Sequence, residues 1–297
     1  MVAQLDFRKN LGITSNVICA RLGMEGYFFI KEAGFDCVDF NLQGGFFDPD
    51  ALEFRSDLEK ILAEHKNAIK SADLKISQTH APYYFLDKHL KNSKDFEKYL
   101  SCVKESIDIT SDLETKCLVL HPFFLTKALE ALQIEQMEFN LKHIGDLANY
   151  AQRKNISIAL ENLPYDFCND ASSHQHLINS VNRSNVVACL DTGHALIVEG
   201  EQIVGHATQM SNLIRVVHIH DNDGRNDIHW HVNPQKKIWL EIIRSLLANE
   251  NLKTLSLETS GVYKNCCAED IPAKLVEDFS LITKLLHEAQ KNFHDTF

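Results

Sequence analysis

The sequence predicts an α/β fold, a (β/α)8 barrel built as a single domain from residues 1–297. Short apolar runs rich in β-branched residues alternate with longer stretches of helical period, which is typical of parallel strands joined by helices. Eight such runs can be counted, and eight strand–helix units are the number that closes a TIM barrel. The length of 297 residues would also allow two domains, but barrels of this type commonly reach about 250 residues or more as one domain.

The predicted elements follow one another along the whole chain. The predicted strands are LGITSNVI (11–18), CVDFNL (37–42), KISQTH (75–80), CLVLH (117–121), ISIALE (156–161), VVACLD (186–191), RVVHIH (215–220) and TLSLE (254–258). The amphipathic stretches between and after them predict helices within 51–72, 95–113, 137–154, 238–250 and 270–290.

An open, doubly wound sheet is the alternative fold. Such a sheet usually carries a glycine-rich phosphate turn after its first strand. The corresponding stretch here reads SNVICARLGMEG and lacks GxGxxG. The sequence therefore favours the closed barrel and predicts no nucleotide cofactor.

The composition restricts the class of partner. The formal net charge is −11 and the sequence pI is about 5.7, which argues against a broad basic surface for nucleic acid. No apolar run approaches the ~18 residues of a membrane span, and no export signal is visible, so we expect a cytoplasmic protein that does not bind membranes. The eight cysteines include no CxxC pair, and Cys37, Cys117 and Cys189 lie in apolar runs typical of reduced core thiols.

Polar residues of metal-ligand type end six consecutive predicted strands. They are His80, His121, Glu161, Asp191, His218 with His220, and Glu258. Because the carboxyl ends of all barrel strands surround one mouth, these side chains should converge there, where barrels carry their active sites.

Taken singly, each of these residues has an ordinary structural interpretation. A histidine at a strand end is often a hydrogen-bonded turn residue, a closing glutamate can pair with a loop lysine, and Asp191 can cap the next helix. Together they bury three carboxylates around one mouth, and a dication with a histidine ligand would compensate that charge.

A second dense patch, VVHIHDNDGRNDIHWHV, contains seven ligand-type residues between His218 and His231. His218 and His220 alternate onto one face of a strand, and Asp227 and His229 could fold back over the mouth. A solvated, turn-rich loop explains part of this patch, and His220 and His231 are its weakest ligand candidates.

Aromatic residues mark three loops at the same mouth. They are Phe46, Phe47, Tyr83, Tyr84, Phe85, Phe123 and Phe124. They could wall a metal site from water and offer a face to a sugar ring, or they could pack against the outer helices.

These motifs, in the order THAPY, LVLHP, IALEN, CLDTGHA, VHIHDNDGRNDIH and LSLET, resemble the xylose-isomerase-like barrels. That superfamily includes sugar and sugar phosphate isomerases and epimerases, and endonuclease IV-type nucleases of apurinic sites. The resemblance covers nearly the whole chain.

The resemblance implies a ligand set. In the sugar epimerases one divalent ion is held by residues that correspond here to Glu161, Asp191, His218 and Glu258. In the nucleases a three-zinc cluster uses further ligands that correspond to His80, His121, His194, Asp227 and His229. Many isomerase-like members keep the extra histidines as substrate ligands, so both arrangements stay open.

This chain also departs from the family pattern. After Asp227 and His229 both branches commonly show a GEG turn, whereas this sequence continues HVNPQKKIW. The nuclease-type continuations after IALEN and CLDTGHA are missing as well. These departures favour a small molecule over nucleic acid as the substrate.

The leading hypothesis is a metal-dependent isomerase or epimerase of a sugar or sugar phosphate. Glu161 and Glu258 would move a proton through an enediolate, while His80, His121, His194 and Arg225 would hold hydroxyls or a phosphate. Mn²⁺, Mg²⁺ or Co²⁺ suits the carboxylate-rich set, and Zn²⁺ would suit recruitment of the extra histidines. The alternatives are a multi-zinc phosphodiesterase and a non-catalytic metal-binding barrel, and the sequence leaves a homo-oligomer open.

Overall fold

The structure is a computed structural model that describes residues 9–83, 92–124, 135–164 and 167–291. Its strands are β1 (Asn10–Thr14), β2 (Cys37–Asn41), β3 (Phe47–Asp48), β4 (Glu53–Phe54), β5 (Lys75–His80), β6 (Cys117–Leu120), β7 (Ser157–Glu161), β8 (Val186–Asp191), β9 (Ile214–Ile219) and β10 (Thr254–Leu257). Strands β3 and β4 form a small antiparallel pair, and the other eight close a parallel barrel in the order β1-β10-β9-β8-β7-β6-β5-β2. The eight-stranded barrel predicted from the sequence is confirmed.

Helices surround the barrel. They are α1 (Asn16–Leu22), α2 (Glu25–Ala33), α3 (Leu58–Ser71), α4 (Ser93–Asp112), α5 (Gln136–Arg153), α6 (Ala171–Val181), α7 (Thr192–Glu199), α8 (Ile203–Gln209), α9 (Lys237–Ala248), α10 (Ser260–Lys264) and α11 (Ile271–Lys291). Polar side chains begin several of them: Asn92 accepts the amides of Lys94 and Asp95 at the start of α4, and Asp170 forms a capping box with Ser173 at the start of α6.

The first strand is shorter than the sequence predicted. Strand β1 ends at Thr14, and residues 16–18 of the predicted strand begin α1 instead. The carbonyl of Ser15 accepts the amide of Cys19, so the chain turns into a helix at the polar Ser-Asn pair, and Ile18 is buried from that helix.

The helix predicted within 51–72 begins later, at Leu58. The residues before it form strand β4, which pairs with β3 in the register Phe47 to Phe54 and Asp48 to Glu53. This short pair buries Phe47 and Phe54 against each other, which the helical period of the stretch did not reveal.

Two apolar layers hold the barrel together. The larger lies between the strands and the helices and includes the fully buried Trp239 of α9, whose burial contributes on the order of 2–3 kcal/mol. A smaller cluster fills the barrel interior and consists of Val119, Ala159, Val187, Cys189 and Val216. Among the described residues, no helix combines the length and the hydropathy that crossing a membrane requires.

Candidate metal centre and active site

The barrel brings the predicted ligand residues to its carboxyl-end mouth. His80, Glu161 and Asp191 are the last residues of β5, β7 and β8. His121 and Glu258 each follow a strand by one residue. Parallel strands that end on one rim therefore converge their polar ends on a single site.

Four of these residues form the central group, which we define as Glu161, Asp191, His218 and Glu258. Each offers one ligand atom, and these atoms lie within 4.8 Å of one another. His218 Nδ1 is 2.9 Å from Glu258 Oε2, 3.2 Å from Glu161 Oε1 and 3.8 Å from Asp191 Oδ2. Glu161, Asp191 and His218 are buried, whereas Glu258 reaches the surface of the mouth.

Glu161 also joins a second group with two histidines. Its Oε2 atom is 3.1 Å from His80 Nε2 and 3.2 Å from His121 Nε2, while its Oε1 atom faces His218. The two oxygens of one buried carboxylate therefore serve two neighbouring sets of donors, as a bridging ligand would.

A third group lies under the loop after β9. His194, His220, Asp227 and His229 offer ligand atoms within 4.8 Å of one another. Asp227 Oδ2 is 3.3 Å from His194 Nε2 and 3.1 Å from His229 Nε2. The sequence ranked His220 among the weakest candidates, yet the side chain is fully buried in this group.

Hydrogen bonds to the protein fix which ring nitrogen of each histidine faces its group. Nδ1–H of His80, His194 and His229 donates to the carbonyls of Ala81, Asn162 and Glu258, over 2.7, 2.9 and 2.9 Å. A carbonyl can only accept, so Nδ1 carries a proton in each ring. Each Nε2 then faces a carboxylate, a contact that requires either a second proton or a cation between the two atoms.

The central group has a surplus of negative charge. Burial would raise the pKa of Glu161, yet His218 and His121 hold it well below its usual value. Burial would lower the pKa of His218, whereas the negative charges of Glu258 and Glu161 raise it well above its usual value. Three carboxylates around one imidazole fit a divalent ion, which would offset their mutual repulsion.

The third group, by contrast, can balance its charge with protons. Burial opposes protonation of His194 and His229, but Asp191 and Asp227 raise the pKa of His194 to about 10, and Asp227 with Glu258 raises that of His229 to about 9. Asp227 then lies between two imidazolium rings. Of these two groups, the central group, with its three carboxylates and one histidine, therefore fits a divalent ion better than the third group does.

Asp191 fulfils both of the roles that the sequence left open. Its Oδ1 accepts the amide of His194 over 2.7 Å and caps α7. Its Oδ2 faces His218 at 3.8 Å and belongs to the central group. One carboxylate thus fixes the start of the helix that carries His194 and contributes a ligand atom.

Three polar residues that the sequence pattern did not single out support the site, namely Asp39, Gln78 and Asn162. Asp39 Oδ2 accepts from His218 Nε2 over 2.9 Å and from Gln78 Nε2 over 2.9 Å. Asn162 exchanges two hydrogen bonds with the backbone of Asp191, of 3.0 and 2.8 Å, and ties the ends of β7 and β8 together. The sequence signal for Asp39 was a charged residue inside an apolar run. The structure buries all five residues of that strand, β2.

Cys189 lies directly beneath the central group. Its sulfur comes within 4.8 Å of the facing atoms of Glu161 and His218. Burial raises the pKa of the Cys189 thiol well above its usual value, so it stays protonated as a core group. Cys37 is buried and Cys117 half-buried, and all three thiols are free.

Close backbone packing holds the third group together. A Cβ atom on Gly193 would lie 1.9 Å from Cε1 of His220, so only glycine allows this approach. His229 has a φ of 50°, in the left-handed region that non-glycine residues rarely adopt. The loop after β9 therefore holds His229 in a strained conformation at the site, which is common at functional positions.

Two residues of the same loop lie apart from the groups. Arg225 is exposed on the turn after Asp223, whose carboxylate accepts the Arg225 amide. His231 points away, and its Nδ1 bonds the carboxylate of buried Asp278. The structure therefore does not bring Arg225 into contact with any of the three groups of ligand-type residues.

The aromatic loops divide between wall and core. The ring of Tyr83 stacks on His121, with centroids 5.2 Å apart, and stands 5.8 Å from that of His80. Phe47 and Phe123 are buried in the packing, while Tyr84 and Phe85 lie outside the described residues. Beside Tyr83 a cavity of about 490 Å³ opens, whose lining includes Asn41, Gln43, Phe46, Arg21 and Lys264.

Comparisons with known proteins agree with this fold. The family model described as xylose isomerase-like TIM barrel matches residues 28–284. The solved structure of a D-tagatose 3-epimerase-like protein is 19% identical, covers 96% of this chain and 99% of its own, and has a TM-score of 0.75. That of an L-ribulose 3-epimerase is 16% identical, with coverages of 96% and 97% and a TM-score of 0.72. A probable endonuclease 4 of Metamycoplasma arthritidis is 28% identical over 67% of this chain and 73% of its own.

The closed barrel with ligand-type residues around its carboxyl-end mouth defines the class of α/β barrels that carry an active site at this rim. Within that class, the chain belongs to the xylose isomerase-like TIM barrel family.

Proposed function

We propose that the protein is a divalent-metal-dependent isomerase or epimerase of a sugar or sugar phosphate. The observation that carries the proposal is the central group, in which three carboxylates and one histidine offer ligand atoms within 4.8 Å of one another at the barrel mouth. A divalent ion bound there would polarise a substrate carbonyl and stabilise the negative charge that develops on its oxygens.

The two glutamates of the central group are the proton-transfer residues. They approach the same nitrogen, His218 Nδ1, from β7 and from the end of β10, at 3.2 and 2.9 Å. The Glu258 side chain is 14% exposed and can meet a substrate, while that of Glu161 is 2% exposed. Glu258 would remove the proton next to the carbonyl, and Glu161 would return it.

The surroundings suit a small polar substrate. The cavity of about 490 Å³ beside Tyr83 lies in the size range of small-molecule sites. Tyr83 offers an aromatic face to a sugar ring, and the positive charges of the protonated His194 and His229 would attract a phosphate.

The solved relatives and the net charge support the same substrate class. The two structures reported above are described as a D-tagatose 3-epimerase-like protein and an L-ribulose 3-epimerase, which suggests a ketose as the first substrate to test. A net charge of −11 would repel a long phosphate backbone but tolerates a small sugar.

The test compares two substrate classes under metal control. Chelator-treated protein is reloaded with Mn²⁺, Mg²⁺, Co²⁺ or Zn²⁺ and incubated with ketoses and ketose phosphates, and with duplex DNA that contains an abasic site. We expect metal-dependent isomerisation or epimerisation of at least one sugar and intact DNA. Cleavage of the abasic DNA with no sugar converted would overturn the proposal.

A multi-zinc phosphodiesterase is the second candidate, because the other two donor groups adjoin the central one. Glu161 is shared with His80 and His121, and Asp227 connects His194 with His229. Bound zinc at such sites would polarise a phosphate and supply a hydroxide nucleophile. The 28% identical probable endonuclease 4 supports this candidate, and three zinc ions per purified chain would favour it.

A further inference from the structure

A second cavity opens at the opposite, amino end of the barrel. Its volume is about 320 Å³, and it is ringed by residues near the starts of six barrel strands, among them Ser77, Lys116, Ser157, Arg215 and Lys253. No proton-transfer or ligand residue of the mouth takes part in it. This end of a barrel normally serves stability alone, so a polar cavity there requires its own explanation.

Both register shifts in the described barrel ladder supply side chains to this cavity. Between β2 and β5, Val38 pairs with Ile76 and Asp39 with Gln78, which leaves Ser77 without a partner. A β-bulge re-aims the side chain of its extra residue, and Ser77 lines the cavity.

The second register shift turns a cationic side chain toward the cavity. Between β8 and β9, Ala188 pairs with Ile214 and Cys189 with Val216, which leaves Arg215 as the extra residue. Regular alternation would turn Ile214 toward the barrel interior, but Ile214 is buried in the outer core and Arg215 lines the cavity.

The charge of the cavity is entirely positive. Lys116, Arg215 and Lys253 line it, and no aspartate or glutamate is among the lining residues. Arg215 Nη1 donates only to the carbonyls of Asn212 and Ile214, and Lys253 Nζ donates to the carbonyl of Glu250. The ion pairs found within the described ranges include none of these three cations, so no described carboxylate oxygen lies within 4 Å of their side-chain nitrogens.

Hydrogen-bonding groups complete the lining. Ser77, Ser157, Ser184 and Asn251, which carry hydroxyl and amide groups, line the cavity together with the cations. The floor is Gln78, which is 2% exposed and whose Nε2 donates to Asp39. Cations surrounded by hydroxyl and amide donors are the groups that recognise a tetrahedral oxyanion.

We propose that this amino-end cavity binds a small anion of the phosphate class, either inorganic phosphate or the phosphate group of an ester. The site is separate from the metal centre. It requires neither a metal nor the sugar chemistry of the mouth, so its failure and that of the proposed function are distinguishable.

The test is calorimetric titration of the purified protein with inorganic phosphate at low ionic strength, with and without a chelator. We expect one site per chain that the chelator leaves unchanged. Arg215→Gln and Lys253→Gln should each weaken binding about tenfold or more, since a hydrogen bond to a charged group is lost. Lys60→Gln, which removes an exposed cation on α3, is the matched control and should change nothing.

Lys253 is exposed at the rim, so its variant keeps the test valid if Arg215→Gln fails to fold. The proposal would be overturned if millimolar phosphate does not bind, if Arg215→Gln and Lys253→Gln bind phosphate as tightly as the unaltered protein does, or if the chelator abolishes binding. A parallel titration with glycerol 3-phosphate identifies the source: tighter binding with the same dependence on Lys253 indicates an ester, and equal or weaker binding indicates the free ion.

Discussion

His218 Nε2 donates to Asp39 Oδ2 over 2.9 Å, and this bond determines which nitrogen of the His218 ring faces the central group. Because Nε2 donates this bond, Nδ1 is the nitrogen that faces the carboxylates of Glu161 and Glu258, where it would bind a cation held between them. A carboxylate behind a histidine ligand fixes the ring and increases its basicity. Asp39 is therefore a positioning residue for the proposed metal centre.

Replacing Asp39 with asparagine should weaken metal binding without unfolding the barrel. Loss of a carboxylate behind a ligating histidine typically costs about 10–100-fold in metal affinity. Competition with a chromogenic chelator measures this affinity, and Asp57→Asn, at an exposed carboxylate, is the control. Equal affinities of Asp39→Asn and the unaltered protein would remove Asp39 from the metal centre.

Glu258→Gln should abolish turnover and retain some metal. The amide cannot accept the substrate proton, and general base catalysis contributes about 10²–10⁴-fold. The three other central ligands remain in place, so elemental analysis should still find metal in the variant. Full activity of Glu258→Gln would exclude this residue from proton transfer.

The double variant Asp227→Ala with His229→Ala separates the two candidate functions. In a single-metal isomerase these residues only hold the substrate, so KM should rise while the metal content per chain stays unchanged. Elemental analysis beside the unaltered protein checks this without knowledge of the substrate. A loss of one or more ions per chain would instead favour the multi-zinc phosphodiesterase.

Gly193→Ala should destabilise the protein, since the new Cβ atom would lie 1.9 Å from His220. We expect a loss of about 1–3 kcal/mol in the free energy of unfolding, the usual cost of overpacking. Gly205→Ala in α8 is the matched control because no atom lies within 4 Å of its added Cβ. That change should stabilise the helix by about 0.5–1 kcal/mol, and denaturant unfolding measures both. Equal stabilities of the two variants would contradict the close packing.

The sequence predicted the barrel because its strand–helix pattern repeats eight times, and eight such units are the number that closes a TIM barrel. Element ends were less predictable. The apolar Val17 and Ile18 fit a strand as well as a helix, and only the hydrogen bond from Cys19 to Ser15 distinguishes the two. Likewise, the pairing of Phe47 with Phe54 depends on tertiary contacts.

For the site, strand-end position was sufficient to locate the polar residues that converge, because the fold itself brings strand ends together. It could not reveal Asp39, whose role depends on a contact with His218 from 179 residues away. It also could not show which side of the barrel Arg215 faces, because a bulge reverses the alternation from which that side would be inferred.

Solvent deuterium exchange detects proton transfer at a carbon next to a carbonyl, which is the step that the central group is proposed to perform. The metal-loaded protein is incubated in D₂O with ketopentoses, ketohexoses and their phosphates, and deuterium on carbon is measured by mass spectrometry and NMR. We expect metal-dependent incorporation into at least one sugar, which Glu258→Gln should abolish and Glu250→Gln, at an exposed carboxylate, should not. If protein with a filled metal site introduces deuterium into none of these sugars, proton transfer by the central group is contradicted.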